Sequence, residues 1–445
     1  VSVCMVSTRR QYVKIASVGG IIGLTGCMGL GSSGDNSGND NSGGTTIDYI
    51  SDRGGTREFI EAFISDFEEE NPDITVNAEY VTKGVALQER LSQRIAAGNP
   101  PDIIFGPSAN VYRFAAQGDA IPVTDVIDDL GIENSPVQYE GEDYLVPTMT
   151  QVFNYWYRTD HYPNDPSTMS EWLTGAEQVS NNSDMEGFLA LSGETNIGTT
   201  AGAQLAWSNG VDMITGEPGN MEVVLDQGDN RSKMIEALEW YDDIHEYSLG
   251  GGSYGWGDSY NSLAQGNSAS APGLGSDPAL TARNNNPEMV ENLNANFGPW
   301  GEGMGAPEKI WIYRQGHYIH GEAENPEPAK RFIKAFNEGD RIIDWLLEAP
   351  MYLLPPSKDM MENERFLENE FISSFEDLWN KYQDNWDSFS TILNTGTDGA
   401  ANLLGAQVYD QKIPGRMLAE VTINDREPAS VVDEIAEDIR SIEGN

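Results

Sequence analysis

The sequence predicts an α/β protein made of two α/β units behind a leader that joins neither core. Strand-like and helix-like patterns alternate from residue 47 onward, and a second such set begins near Val152. A length of 445 residues is also more than one hydrophobic core usually serves.

The elements follow in order. Ile47–Ile50 reads as a first strand, and Gly54-Gly55 turns the chain into a helix with Phe59, Ile60, Phe63, Ile64 and Phe67 on one face. Asn71-Pro72 stops that helix, because the residue before a proline is driven from helical geometry. Ile74–Tyr80 alternates as a second strand, and a helix around Leu87, Leu91 and Ile95 ends at Gly98-Asn99-Pro100-Pro101. Residues 102–105 are a short third strand ending at Gly106-Pro107. Strand, helix, strand, helix, strand is the order of a parallel sheet, whose ligands sit beyond the carboxyl ends of the strands. The segments 51–55 and 106–110 are expected to be loops at those ends.

The second set holds the tract Val152–Tyr157 and a helix through Met234, Leu238 and Tyr241. Further crossings of the chain are expected at 311–319 and after Pro355, and residues 430–442 read as an amphipathic helix with Val431, Ile435 and Ile439 inward. Trp240, Trp345 and Trp379 fall within helical patterns and are expected in the core. The chain carries no internal repeat.

Lys+Arg number 26 and Asp+Glu 71, a net charge of −45, so nucleic acid and acidic membranes are repelled. With 39% hydrophobic residues the chain is folded rather than disordered. An acidic shell of this size suits strong brine, where screening removes self-repulsion, so a halophilic source is expected. The two cysteines, Cys4 and Cys27, both precede the body, which therefore has no disulfide and no thiolate metal site.

The leader reads as an address. Arg9-Arg10 precedes an apolar run, Ile15–Leu24, that is shorter than the roughly 20 residues a membrane span needs. The pair resembles a twin-arginine export signal, and Leu24-Thr25-Gly26-Cys27 resembles a lipobox with Cys27 as the lipidated residue. Residues 29–46, nearly all Gly, Ser, Asn, Asp and Thr, read as a flexible tether. The expected divisions are 1–26 as signal and 27–46 as anchor and linker.

Several landmarks of the body resemble one family in its order. They include 57–63 with Asn71-Pro72-Asp73, Ala97–Ile103, Tyr144-Leu145-Val146-Pro147, Tyr155–Asp160, Trp207-Ser208-Asn209-Gly210, Asn325–Phe332 and Tyr352-Leu353-Leu354-Pro355. Together they resemble the extracellular solute-binding proteins of ATP-driven importers, the group that includes maltose-binding and glycerol-phosphate-binding proteins. The resemblance implies a periplasmic-binding-protein-like fold, two α/β lobes with a hinge and a ligand cleft between them. The lobes would be 47–148 with 307–355, and 149–306 with 356–445. It implies a monomer that captures a small molecule, a carbohydrate or polyol, and hands it to the membrane permease subunits of the transporter. No cofactor, no metal and no enzymatic activity are expected, and the membrane is reached through the lipid alone. A surface adhesin or a carbohydrate-active hydrolase stays open as the alternative. The segment Tyr313-Arg314-Gln315-Gly316 departs from the family, which usually has a glycine-rich stretch with a tryptophan there, and an arginine at this place could meet a carboxylate or phosphate.

A sugar needs flat rings for its C–H faces and fixed polar groups for its hydroxyl rim. Trp207, Asn209, Tyr254, Trp256 and Trp300 stand beside glycines and are the aromatic and polar candidates of the second lobe. The strand-end candidates are Asp52, Arg53, Ser108, Asn110, Gln151 and Arg314, with Tyr352 as a pocket-lining position implied by the resemblance and Tyr409 as a weaker one. His317 and His320 have a spacing that a metal could use on a helix; on the strand expected there they point to opposite faces.

Overall fold

The computed structural model describes residues 44–443 apart from 82–84, 133–134, 163, 218–219, 250–253, 305–307, 393 and 396–399. Cys27, the signal and most of the tether lie outside the described residues. The expected tether runs two residues too far: Thr45 and Thr46 open the first strand, Thr45–Ser51, and pair with Ile74 and Thr75. Threonine is β-branched and extends readily once a partner strand lies beside it.

The core is a mixed sheet. Its main order is Ser270–Leu274, Val146–Arg158, Ile310–His320, Ile103–Pro107, Thr45–Ser51 and Ile74–Tyr80. The last three pair in parallel, as the strand–helix alternation predicts. The long strands Val146–Arg158 and Ile310–His320 run antiparallel to each other and join the two lobes. Residues 146–152 pair with 312–317, and residues 315–319 of the second pair with Ile103–Pro107. Beyond that point residues 153–158 of the first leave for the other lobe, where they pair with Ser270–Leu274 and Leu293–Asn296. The register between the crossing strands slips at Gln315/Gly316, where a Cβ on Gly316 would stand 2.0 Å from the Val146 carbonyl oxygen. Only glycine lets the two backbones approach so closely there. A third crossing follows, where Thr150 and Leu354 bond each other's backbones just before Pro355.

Helices cover the sheet as their apolar stripes require. Arg57–Glu70 buries Ile60, Phe63, Ile64 and Phe67, while Phe59 stays half-buried at the edge of the stripe. Its Phe63 meets Phe332 and Phe336 of the helix Pro326–Asn337 at 5.0 and 5.1 Å between ring centroids. The helix Gly228–His245 buries Met234, Leu238 and Tyr241, and Pro428–Glu443 buries Val431, Ile435 and Ile439. Trp240, Trp345 and Trp379 are buried, as expected. His317 and His320 do lie on a strand: His317 packs on Phe105 and Phe336, His320 on Phe114. Among the described residues no three metal-ligating side chains gather, and no helix is long and apolar enough to cross a membrane.

The expected loop at 106–110 is not a loop. The strand Ile103–Pro107 runs directly into a helix at Ser108, with Pro107 in extended geometry as its N-cap. Proline fixes φ near the value both elements share, so no spacer is needed.

Candidate functional site

Where the crossing strands meet the end of the first strand, buried polar groups converge. Arg53, in the loop after Thr45–Ser51, donates from Nε and a terminal nitrogen to the two oxygens of Asp52 at 2.8 and 3.2 Å. Its other terminal nitrogen donates to the Tyr352 hydroxyl at 3.3 Å, and the one that meets Asp52 also donates to Gln315 Oε1. Gln315 Nε2 passes the chain on to Gln151 Oε1 at 2.9 Å. All five side chains are buried. Burial opposes the charge of Arg53, but the Asp52 carboxylate outweighs it and holds the guanidinium firmly protonated. Gln151 Nε2 is buried and has no hydrogen-bond partner. A buried amide donor left unbonded costs on the order of 1–3 kcal/mol, so it is poised for an acceptor such as a hydroxyl oxygen.

Aromatic rings continue the circuit. Tyr313 lies directly across the strands from Gln151. Trp256 opens the helix Trp256–Ala264 and meets Tyr313 edge-on at 6.2 Å and Tyr260 at 6.3 Å. Tyr260 is within electrostatic reach of both Tyr352 and Tyr313, and burial raises its pKa. Trp256 and Tyr313 keep part of their surface open while the rings around them are buried. The Tyr313 hydroxyl bonds Thr200 and, at 2.6 Å, Tyr409. Burial pushes the Tyr313 phenol up to about 12, so it remains a neutral donor and acceptor.

Tyr352 is held from behind by an unusual stretch of backbone. Met351 has φ +63°, left-handed geometry that costs a side-chain-bearing residue about 1–3 kcal/mol. Gly275, at φ +47°, lies so close that a Cβ would stand 2.2 Å from the Met351 carbonyl oxygen. The Gly275 carbonyl accepts from Asn154 and Trp156, and Ser276 donates to the Pro350 carbonyl at 2.5 Å. The strain is thus fixed by bonds from the long crossing strand.

The expected residues divide accordingly. Asp52, Arg53, Gln151, Trp256 and Tyr352 come together in this circuit, and Tyr409 borders it. Arg314 lies within the same crossing strand, between Tyr313 and Gln315. Tyr254, just before the Trp256 helix, donates its hydroxyl to the Leu249 carbonyl at 3.2 Å. Ser108 is buried at a helix start, and Asn110 accepts from Gln88 at 3.0 Å in the space between two helices of the first lobe.

Trp207 adjoins the circuit through Trp311, which meets Tyr313 and Tyr409 at 5.8 and 5.7 Å, while Asn209 and Trp300 meet at Gly301. Trp207 is not in a glycine-rich loop but in the buried helix Asn196–Ser208, packed on Trp311 at 5.5 Å. Asn209 donates to the Lys233 carbonyl at 2.7 Å, and its Oδ1 faces Gly301. Trp300 exchanges backbone bonds with Ser167 and Met169. Gly210 supplies a left-handed φ of +66° and Gly301 leaves room for the Asn209 side chain, uses that from sequence look the same as an opening for ligand. Gln315, Tyr313, Tyr260 and Thr200 were missed. Two signals could have found them: Tyr313 and Gln315 alternate onto one side of a strand, and Tyr260 is four residues after Trp256 on a helix.

Two α/β lobes tied by crossing strands, with polar and aromatic side chains meeting at the crossing, define the class as a two-lobed solute-binding fold. The chain belongs to the bacterial extracellular solute-binding protein family, whose model matches residues 53–348. No curated protein sequence matches it significantly. Solved structures share the fold at low identity. The GacH receptor of Streptomyces glaucescens, studied unliganded and with acarbose, is 16% identical with a TM-score of 0.72 over 89% of this chain and 98% of its own. Maltose-bound MalE3 of T. maritima is 18% identical with a TM-score of 0.72, over 89% of this chain and 100% of its own. A solute-binding protein of Agrobacterium radiobacter in complex with ribitol is 16% identical with a TM-score of 0.68, over 90% and 99%.

Proposed function

We infer that this chain is the substrate-binding subunit of an ATP-driven importer and captures a sugar or polyol by closure of its two lobes. The observation that carries the reading is the circuit Arg53, Gln315, Gln151, Tyr313, Trp256, Tyr260 and Tyr352. It sets hydroxyl-binding groups and aromatic rings side by side, the two surfaces a sugar presents. The acarbose, maltose and ribitol bound by proteins of the same fold support this ligand class. The lobes are 47–148 with 307–355 and 149–306 with 356–445, and ligand contacts made only when they close shift the population toward the form the permease reads. Membership of a solute-binding family supports capture rather than turnover.

A thermal-shift screen in molar salt against mono- and oligosaccharides and polyols tests the reading, since a ligand that binds only the folded state raises its melting temperature. Stabilisation without turnover supports it. Cleavage of an oligosaccharide would favour the hydrolase, and no stabilisation by any compound rejects the proposal.

The protein is exported by the twin-arginine route and held as a monomer on the outer face of the membrane through lipidated Cys27. Cys27→Ala is expected to release it into the medium; retention on cells as firm as the parent's rules the lipid anchor out.

A further inference from the structure

The two arginines at the strand crossing are treated differently by their surroundings. Arg53 is compensated within the protein, by both oxygens of Asp52. Arg314 has no such partner. Its Nε is buried without a hydrogen bond, and no ion pair joins it to a carboxylate among the described residues. Its neighbour is the Tyr112 phenol, neutral because burial raises its pKa. Burial likewise works against the Arg314 charge. In a chain with 71 acidic residues against 26 basic ones this is unusual. Arg94 meets Asp48 and Glu79, Arg231 meets Asp433, and Arg440 meets Asp226. Arg113 and Arg283 are exposed and lie over phenylalanine rings, Arg113 with Asp410 in electrostatic reach, and half-buried Arg341 donates to the Ala335 carbonyl and lies over Phe63.

A covered cation without a counter-charge is costly to keep, and the cost is removed when an anion binds beside it. Arg314 still retains some exposure, so a ligand can reach it. Strand alternation sends it to the opposite side from Tyr313 and Gln315, toward Tyr112 of the helix Ser108–Gln117, but the neighbouring strand Ile103–Pro107 pairs only from Gln315 onward, so a ligand meeting both faces would pass the strand edge at Arg314 that this neighbour leaves uncovered. That helix begins with no side-chain cap, and Gln315 is in register with its N-cap, Pro107. The positive end of its dipole therefore lies close by and adds to the preference for negative charge.

We propose that Arg314 recognises an anionic group on the ligand, so that the captured solute is a sugar acid or a sugar or polyol phosphate rather than a neutral sugar. The guanidinium fork offers two parallel donors to either group, a match that fixes orientation as well as charge. The acidic shell does not forbid such a ligand, because in molar salt its field is screened within about 3 Å, while a covered pair is screened far less. The proposal rests on the solute-binding reading above and narrows its ligand.

The test compares glucose with glucuronate and glucose 6-phosphate, and glycerol with glycerol 3-phosphate, beside neutral oligosaccharides, by thermal shift and calorimetry in molar potassium chloride. The expected result is that a carboxylate or a phosphate compound binds tighter than its neutral parent, and which of the two does so identifies the group. Arg314→Gln is expected to lose that affinity by about tenfold to a hundredfold, the scale of a hydrogen bond to a charged group. Its melting temperature without ligand should be equal to or above the parent's, because an uncompensated charge has been removed. Should Arg314→Gln not fold, Arg314→Lys keeps the charge without the fork and is expected to retain part of the preference. A neutral sugar that binds the parent and Arg314→Gln equally, and more tightly than any acid or phosphate, overturns the proposal and leaves the solute-binding reading intact. A clear fall in the ligand-free melting temperature of Arg314→Gln also overturns it, by making the guanidinium structural. Binding of none of these compounds overturns both.

Discussion

Replacing Asp52 with Ala strips the carboxylate from a guanidinium that has almost no access to water. The Arg53 and Asp52 side chains are each 4% exposed and share hydrogen bonds of 2.8 and 3.2 Å. Gln315 and Tyr352 remain as acceptors, but both are neutral and cannot offset the charge. Leaving one member of a buried pair alone costs about 3–5 kcal/mol. The chain supplies its own control in Arg57–Glu61, a pair at 2.7 Å whose side chains are 59% and 48% exposed. Glu61→Ala should cost far less, as loss of a solvent-screened helical pair does. Urea unfolding in molar potassium chloride, followed by tryptophan fluorescence and far-ultraviolet circular dichroism, measures both. The double variant Asp52→Leu/Arg53→Met should recover much of the lost stability, because no charge is left buried, yet bind ligand poorly. If Asp52→Ala costs no more than Glu61→Ala, the pair is solvated and the electrostatics assigned to the site are mistaken.

Three further outcomes are expected. Trp256→Ala should weaken ligand binding by about 1–3 kcal/mol with little change in melting temperature, whereas Trp207→Ala should cost about 3–5 kcal/mol of stability through lost packing on Trp311; calorimetry and thermal melts on both variants check this, and the reverse pattern would put the ligand at Trp207. His317 is held at a pKa of about 3 by burial, below its usual 6.5, so the unfolded chain binds a proton that the folded one refuses as pH falls through that window. Stability on the order of 4 kcal/mol is then lost between pH 6.5 and 3, and His317→Leu should flatten that part of the profile; parallel profiles for the two proteins would contradict it. Finally, the melting temperature should fall as salt is diluted, since the screening length grows from about 3 Å at 1 M to about 30 Å at 0.01 M; a flat response would end the halophilic reading of the acidic surface.

The α/β class, the order of the first three strands and their helices, and the buried stripes at Ile60, Phe63, Ile64 and Phe67 and at Val431, Ile435 and Ile439 are legible in the sequence. These are local properties, because periodicity of 2 or 3.6 and the punctuation of proline and glycine act within a few residues. The sequence also named Asp52, Arg53 and Gln151, since the carboxyl end of a strand can be located without knowing what it faces, while Tyr352 was implied by the family resemblance alone. Only the tertiary structure decided which of them meet. Arg53 and Tyr352 are 299 residues apart, and Arg53 and Gln315 are 262 apart. Such contacts are set by how two antiparallel crossing strands align, including the slip at Gly316, and no local pattern encodes that register. The same limit explains Trp207 and Trp300. A tryptophan beside glycine fits a ligand face and a tightly packed core equally well in one dimension. That Trp207 packs on Trp311, which in turn meets Tyr313, is a property of the assembled fold rather than of neighbours in sequence.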